Sequence, residues 1–380
     1  MLISGGGGMS VLRGYRVVEL AGIGPGPFAA MMLSDMGAEV LRVDRADSVG
    51  AEAPSWDVNA RGRRSVGIDL KHADGREAVL RLVDHADVLI EGFRPGVTER
   101  LGLGPDDCLA RRPGLVYGRM TGWGQDGPYA QAPGRDINYV ALAGTLAMVG
   151  RPGVPPVPPV NIVGDFGGGG LLLAFGIVCA LLESARSGQG QVVDAAMVDG
   201  AALLSGMIHG LRAAGDWGER GTNLLDGGAW FYDAYETADG RYISLGAIDP
   251  KARRQLAELT DLDPGPDDRP SWPATKERLA AVIRTRTRDE WSATFDGTSV
   301  CFAPVLEPDE APDHPHNRHR GTFTEVAGVV QPAPAPRFSR TPPAVAGPPP
   351  APGQHTDEAL SDWGFSAEEV TSLRAAGAVR

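Results

Sequence analysis

The sequence predicts an α/β protein of two lobes, a large one built on a parallel sheet and a smaller α+β one. As far as Met120, short β-branched runs alternate with apolar helical stretches, the βα rhythm of a parallel sheet. Near Gly227 the rhythm changes, and two strand-like runs flank Asp239-Gly240, a strong hairpin signal. At 380 residues the chain is also longer than one minimal core requires.

Taken in order, Tyr15 to Leu20 reads as a strand ending at Gly22, Gly24 and Gly26. Phe28 to Met36 reads as a helix closed by Gly37, and Glu39 to Val43 as the second strand of a βαβ unit. Further strands are expected at 66–69, 88–90 and 115–120, with a helix over 74–85 capped by Asp74. Apolar helices are predicted over 136–149, 166–187 and 195–214, with a short strand at 191–194. In the smaller lobe, strands at 230–235 and 242–245 precede helices at 251–260, 276–287 and 289–295. Gln331 to Pro352 is proline-rich and predicts an extended strap. Ser366-Ala367-Glu368-Glu369 is a capping box opening a last helix. The expected boundaries are a large lobe over 9–200, a linker helix over 201–227, a small lobe over 228–325 and a return to the large lobe over 326–380. No internal repeat is evident.

Composition excludes several classes. Hydrophobic residues at 42% and charged residues at 22% fit a soluble globular protein. A net charge of −12 argues against a broad nucleic-acid surface, so an anionic ligand needs a local cluster of cations. Cys108, Cys179 and Cys301 are scattered, without metal spacing, and predict a reduced, cytoplasmic protein. No secretory signal opens the chain, and the glycine-rich start leaves Met9 as an alternative to Met1. The longest uncharged run, Phe166 to Leu182, is short for a membrane span and carries several glycines, so a buried central helix is expected.

Two motifs are decoys. Gly22-Ile23-Gly24-Pro25-Gly26-Pro27 follows a strand, but Pro25 and Pro27 lack the N–H groups a pyrophosphate would use. A tight strand-to-helix turn is the reading preferred over dinucleotide binding. His314, His316 and His319 cluster in a proline-broken segment with no cysteine or carboxylate partner in pattern, which predicts a solvated loop. His209 reads as a packed or interface residue, and His72 as a surface one.

Asp165 stands out chemically. It is a lone carboxylate beside Gly164 and Gly167-Gly168-Gly169, at the start of a long apolar helix whose N–H groups and dipole favour negative charge. A plain N-cap is the bland alternative. Arg135 sits at another predicted helix start, in Gly134-Arg135-Asp136-Ile137-Asn138-Tyr139.

These segments occur with Val17-Val18-Glu19-Leu20-Ala21-Gly22, Glu91-Gly92-Phe93-Arg94-Pro95-Gly96, Arg100-Leu101-Gly102-Leu103-Gly104, Met120-Thr121-Gly122-Trp123-Gly124 and Asp239-Gly240-Arg241-Tyr242. In this order they resemble the family III CoA-transferases (CaiB/BaiF), and within them the α-methylacyl-CoA racemase branch. The resemblance implies a Rossmann-like CoA-binding large lobe and an interlocked homodimer, in which the partner's small lobe closes over the acyl group. It implies CoA contacts from Arg45, Lys71, Arg94 and Arg100, with Asp136 beside them, and a substrate pocket with Tyr139, Gly228 and Trp230. Coenzyme A would be the carrier part of the substrate, with no permanently bound cofactor, no metal, and neither nucleic acid nor membrane as partner.

In racemase relatives the carboxylate matching Asp165 exchanges the α-proton of the acyl thioester. In transferase relatives it is a nucleophile that forms an anhydride and then an aspartyl-CoA thioester. This chain departs from the racemase pattern at three positions. Arg135 replaces the histidine that serves as second acid/base, Asp249 replaces a small-lobe glutamate, and Trp230 replaces a proline. Arginine stays protonated at working pH, so it is a poor base but a good partner for an enolate or a carboxylate. Three readings follow: α-proton chemistry with Asp165 as base and Arg135 stabilising the enolate, CoA transfer through Asp165, or a silent acyl-CoA binder in which Arg135 pairs with Asp249. The short Leu225-Asp226-Gly227-Gly228 turn, without an extended glycine loop, speaks against transfer.

Overall fold

A computed structural model describes residues 10–53, 55–266 and 268–380. The choice between Met1 and Met9 as the start therefore lies outside the described residues. From the N-terminus the chain forms β1 (Arg16–Leu20), α1 (Pro25–Asp35), β2 (Glu39–Arg45), β3 (Arg64–Ile68), α2 (Ala73–Asp84) and β4 (Val88–Glu91). Then come α3 (Val97–Leu101), α4 (Pro105–Arg111), β5 (Val116–Thr121) and α5 (Asp136–Leu142). A π-helical segment (Ile162–Leu171) runs into α6 (Leu172–Ser187), followed by β6 (Gln191–Ala196) and α7 (Met197–Leu204).

The strands make a six-stranded parallel sheet in the order β3-β2-β1-β4-β5-β6. Helices cover both faces, so consecutive residues such as Val17 and Val18, or Val88 and Leu89, are each at most 1% exposed. The strand order reverses direction between β1 and β4. In an open parallel sheet the crevice beyond the strand C-termini opens at that point.

The chain continues through α8 (Gly206–Ala213), β7 (Tyr232–Glu236), β8 (Tyr242–Gly246), α9 (Pro250–Thr260), α10 (Trp272–Ile283), α11 (Arg288–Phe295), β9 (Phe302–Val305) and α12 (Pro315–Arg320). Here β7, β8 and β9 form an antiparallel sheet around Phe231, Trp291 and Ile283. Asp239-Gly240 makes the turn between β7 and β8, as expected. The chain ends with the hairpin β10 (Phe323–Val326) and β11 (Val329–Pro332), an extended stretch, α13 (Thr356–Asp362) and α14 (Ala367–Ala375).

Two compact units result. One contains the chain through Ala143, Val160–Leu204 and Gly321–Arg380; the other contains Gly144–Pro159 and Ser205–Arg320. The return to the first unit is thus built in. Trp363, Phe365 and Leu360 join the core under the sheet, and Val379 bridges to Ile68 at its β3 edge. The proline-rich stretch is tied down by Arg61, whose guanidinium grips Asp35 and donates to Gln331 and to the Pro332 carbonyl.

Several details differ from expectation. The second unit begins at Ser205 and also takes 144–159, so no linker helix spans 201–227. The helix expected over 195–214 is two helices, broken at Ser205-Gly206 next to the boundary between the units. The helix expected to Val149 stops at Leu142, because Gly144 turns to φ +81. His72, not Asp74, caps α2, its Nδ1 accepting from the Asp74 N–H at 3.2 Å. His316 and His319, expected in a solvated loop, are exposed on the helix α12, with His314 half-buried just before it.

The helix at 162–187 is long and apolar enough to cross a membrane, by length and composition only. Its glycines have another use. Gly168 packs on Gly200 of α7 so closely that a Cβ on Gly200 would lie 1.8 Å from the Gly168 carbonyl oxygen. Backbone cannot yield as a flexible side chain does. Gly200→Ala is therefore expected to destabilise the fold by about 3 kcal/mol, the upper end of ordinary overpacking, read as a lower urea midpoint.

Candidate active site

A cleft of about 550 Å³ opens where the strand order reverses, beyond the C-terminal ends of β1, β4 and β5. Its walls include the Gly22–Pro27 turn, Glu19, Glu91, Arg94, Trp123, Arg135, Asp136, Tyr139, Asn161 and Asp165. Five side chains singled out from sequence thus meet here: Arg94, Arg135, Asp136, Tyr139 and Asp165.

Asp165 lies in the first turn of the π-helical segment rather than at the tip of an α-helix. Its side chain is half-buried, and Asn161 Nδ2 donates to Oδ2 at 3.1 Å. Burial pushes the carboxyl above the usual aspartate range, and the negative charge of Asp136 pushes the same way; Asn161 and Arg135 oppose this. The bare backbone of Gly24 leaves room here, since a Cβ there would begin 3.6 Å from Asp165 Oδ2.

Arg135 is the residue before α5. Its backbone N–H donates to Asn138 Oδ1 at 3.0 Å, which ties the helix start. The side chain is exposed, and Nη1 donates to the Gly134 carbonyl at 2.8 Å. Among the described residues it makes no ion pair. Tyr139, one turn on, is buried edge-on against Trp123 at 4.7 Å, so its ring forms wall rather than mobile surface. Gly122 and Gly134 give it space, for a Cβ at either would meet the Tyr139 ring within 2.6 Å.

Arg94 rides the loop after β4. That loop is held from below by Glu91, which is 1% exposed. Its carboxylate accepts from the Phe93 N–H at 2.7 Å and from Arg119 Nε at 2.8 Å, and Arg119 also pairs with Glu99. Burial raises the Glu91 carboxyl above its ordinary range despite these donors. On β1, Glu19 is equally buried and pairs with Arg63 at 3.0 Å.

Arg45, Lys71 and Arg100, in the same unit, are not among the residues lining this cleft. Arg45 is at the end of β2, exposed and bidentate on Asp47 at 2.9 and 2.5 Å. Lys71, past the end of β3, is near enough for its charge to act on Asp47. Arg100 is exposed in α3. Asp136 turns its carboxylate toward the π-helical segment, accepting the Asp165 N–H at 2.7 Å. Asp249, Gly228 and Trp230 belong to the second unit. Asp249 precedes α9 without capping it, and Trp230 is 2% exposed within that unit's own core, T-shaped on Phe231. The sequence reading missed Asn161, Glu19 and Glu91. Asn161 stands four residues before Asp165, a helical spacing visible only once the helix is known to start before Phe166.

Residues 12–356 match CoA-transferase family III. The chain belongs to that family. Among its family III relatives, mouse α-methylacyl-CoA racemase is 46% identical over 370 residues, 96% of each chain. Succinyl-CoA–D-citramalate CoA-transferase of Chloroflexus aurantiacus is 31% identical over 96% of this chain and 97% of its own. A solved CaiB/BaiF family protein from Brucella suis superimposes with a TM-score of 0.82, at 26% identity, over 93% of this chain and all of that one. Family III membership accounts for the α/β fold with its parallel sheet.

Proposed function

We propose that this family III protein is an acyl-CoA racemase- or epimerase-like isomerase, acting by α-proton chemistry with an unusual second group. The observation that carries this reading is the half-buried Asp165 carboxylate, raised in proton affinity, facing the same cleft as the Arg135 guanidinium. Asp165 would remove the C2 proton, and Arg135 would stabilise the enolate oxygen. The second proton of an epimerisation would come from another acid or from water. The high identity to a named α-methylacyl-CoA racemase supports the substrate class.

Coenzyme A would enter only as the carrier part of the substrate, its phosphates met by Arg45, Lys71, Arg94 and Arg100. Arg94→Ala should raise KM for acyl-CoA about 10–100-fold with a smaller change in kcat, as loss of a charge-assisted contact predicts. The working form would be an interlocked homodimer, with the partner's Asp249 and Gly228 closing the acyl side. Exposed Phe175, Leu182, Leu203 and Leu204, each more than half exposed, supply an apolar surface for such a partner to cover. Sedimentation equilibrium tests this against the 39.9 kDa chain mass. The net charge of −12 fits a cytoplasmic enzyme without nucleic-acid or membrane partners.

The test of function is mass spectrometry of 2-methylacyl-CoA and dicarboxylyl-CoA thioesters after incubation in D2O. A gain of one mass unit at C2 supports the proposal. No exchange, with CoA binding intact, overturns it. CoA transfer through Asp165 is the second reading, favoured by the citramalate relative's name and read by exchange of labelled CoA with a free acid. The short 225–228 turn weighs against it, since Asp226 pins it by accepting the Gly221 and Asn223 N–H groups, each at 2.7 Å.

A further inference from the structure

The first turn of a helix has N–H groups with no partner inside the helix. In the segment Ile162–Leu171 one of these, the N–H of Asp165 itself, is taken by a carboxylate from another element: Asp136 Oδ1 accepts it at 2.7 Å. Asp136 is 9% exposed and reaches this position through a slot left by Gly164, where a Cβ would sit 2.3 Å from the same oxygen. The bond therefore joins the two helices that carry the cleft's chemistry, α5 with Arg135 at its start and the π-helical segment with Asp165.

We infer that Asp136 is a positioning residue for Asp165, its carboxylate anchoring the turn that presents the base and holding a second negative charge beside it. The inference rests on Asp165 being the base, as proposed above. It goes beyond the role of CoA contact expected for Asp136 from sequence, because the carboxylate oxygen is spent on the helix backbone.

The consequence is electrostatic. A negative charge on Asp136 makes ionisation of its neighbour costlier, so the proton on Asp165 is held more tightly. Burial is the larger cause of the raised proton affinity of Asp165; Asn161 opposes it, Asp136 adds to it, and Arg135 opposes it. The elements packed around the turn carry a known set of charges. α5 and its cap bring Arg135, Asp136 and Tyr139; α7 brings Asp199; β6 brings Asp194; β5 brings Arg119, committed to Glu91 and Glu99; α1 brings Asp35, committed to Arg61. Arg94, Glu19 and Glu91 line the same cleft. Asp136 is the one whose oxygen touches Asp165 directly. A base must be ionised to act, so a tighter proton moves the acid limb of activity to higher pH and makes the ionised carboxylate a stronger base.

Asp136→Asn keeps an acceptor for the N–H and removes the charge. Two readouts are taken across pH on the full-length protein. The first is the rate of C2 deuterium exchange. The second is modification of Asp165 by a water-soluble carbodiimide with an amine, read by peptide mass spectrometry, which reports the protonated carboxyl without turnover. The expected result is an acid limb and a labelling midpoint both displaced to lower pH, with KM for acyl-CoA unchanged. An unmoved labelling midpoint overturns the inference, whether or not exchange slows. A raised KM with an unmoved midpoint does so too, and returns Asp136 to the role of CoA contact. A displaced midpoint without exchange in either protein sustains the effect of Asp136 on Asp165 and sinks only the assignment of α-proton chemistry. Should Asp136→Asn not fold, Asp136→Ser also offers an uncharged acceptor and is read in the same way.

Discussion

Asp165→Ala should lower deuterium exchange at C2 by at least about 1,000-fold while leaving the protein folded and able to bind CoA. General-base catalysis by a positioned side chain contributes roughly 100- to 10,000-fold. Among the described residues lining the cleft, every other carboxylate already has a partner. An arginine, as at 135, offers donors and no base. Glu19 and Glu91 line the cleft, but their carboxylates are engaged by Arg63 and Arg119. Asp136 is committed to the backbone N–H of Asp165. Removal of the half-buried carboxyl should not unfold the chain, because its side chain makes one hydrogen bond, to Asn161, which can turn to water. The same variant should abolish CoA transfer if that is the reaction, since the nucleophile is lost with the base. Retained turnover on either assay would remove Asp165 from the mechanism, and the silent-binder reading predicts no difference between the two proteins.

The sheet was legible because its signals are local. β1, α1 and β2 announce themselves by β-branched runs and a glycine stop, and Asp239-Gly240 specifies its own turn. The CoA-contact candidates and Asp165 came from short words whose order resembles a family. What was not legible depends on contacts between distant residues. The π-helical winding of 162–171 accompanies backbone-to-backbone packing of Gly168 on Gly200, thirty-two positions apart, and no periodicity in either segment records it. The direction of the Asp136 carboxylate is set by the slot at Gly164. The resemblance placed Asp136 with the CoA contacts, and nothing in the sequence around it signals where its carboxylate turns. Burial of Glu19 and Glu91 was equally hidden, since each reads as one polar residue ending an apolar strand, and its arginine partner lies at least 28 positions away.

Arg135→His should raise C2 exchange on a 2-methylacyl-CoA by roughly 10-fold or more, with KM changed less than kcat. A proton removed by Asp165 leaves a planar enolate, and inversion needs a proton delivered to the opposite face. Arginine stabilises that enolate but does not trade its own proton near neutral pH. A histidine has an unperturbed pKa near 6.5, so it exists in both forms there and can give a proton in one direction and take it in the other. The backbone is ready for the exchange. The N–H of residue 135 is tied to Asn138, and α5 begins at Asp136 whatever side chain precedes it. The guanidinium itself holds only the neighbouring Gly134 carbonyl, so little packing is lost on replacement. Arg135→Lys is the control: it keeps the charge, titrates far above neutrality, and should bring no gain. A gain with histidine and none with lysine would assign the departure at this position to proton transfer rather than to charge. No gain with either, in variants that fold and bind CoA, would show that the acyl pocket has diverged from the racemases by more than this residue. The dicarboxylyl-CoA thioesters then become the substrates to pursue, because a guanidinium beside the base pairs naturally with a carboxylate on the acyl group.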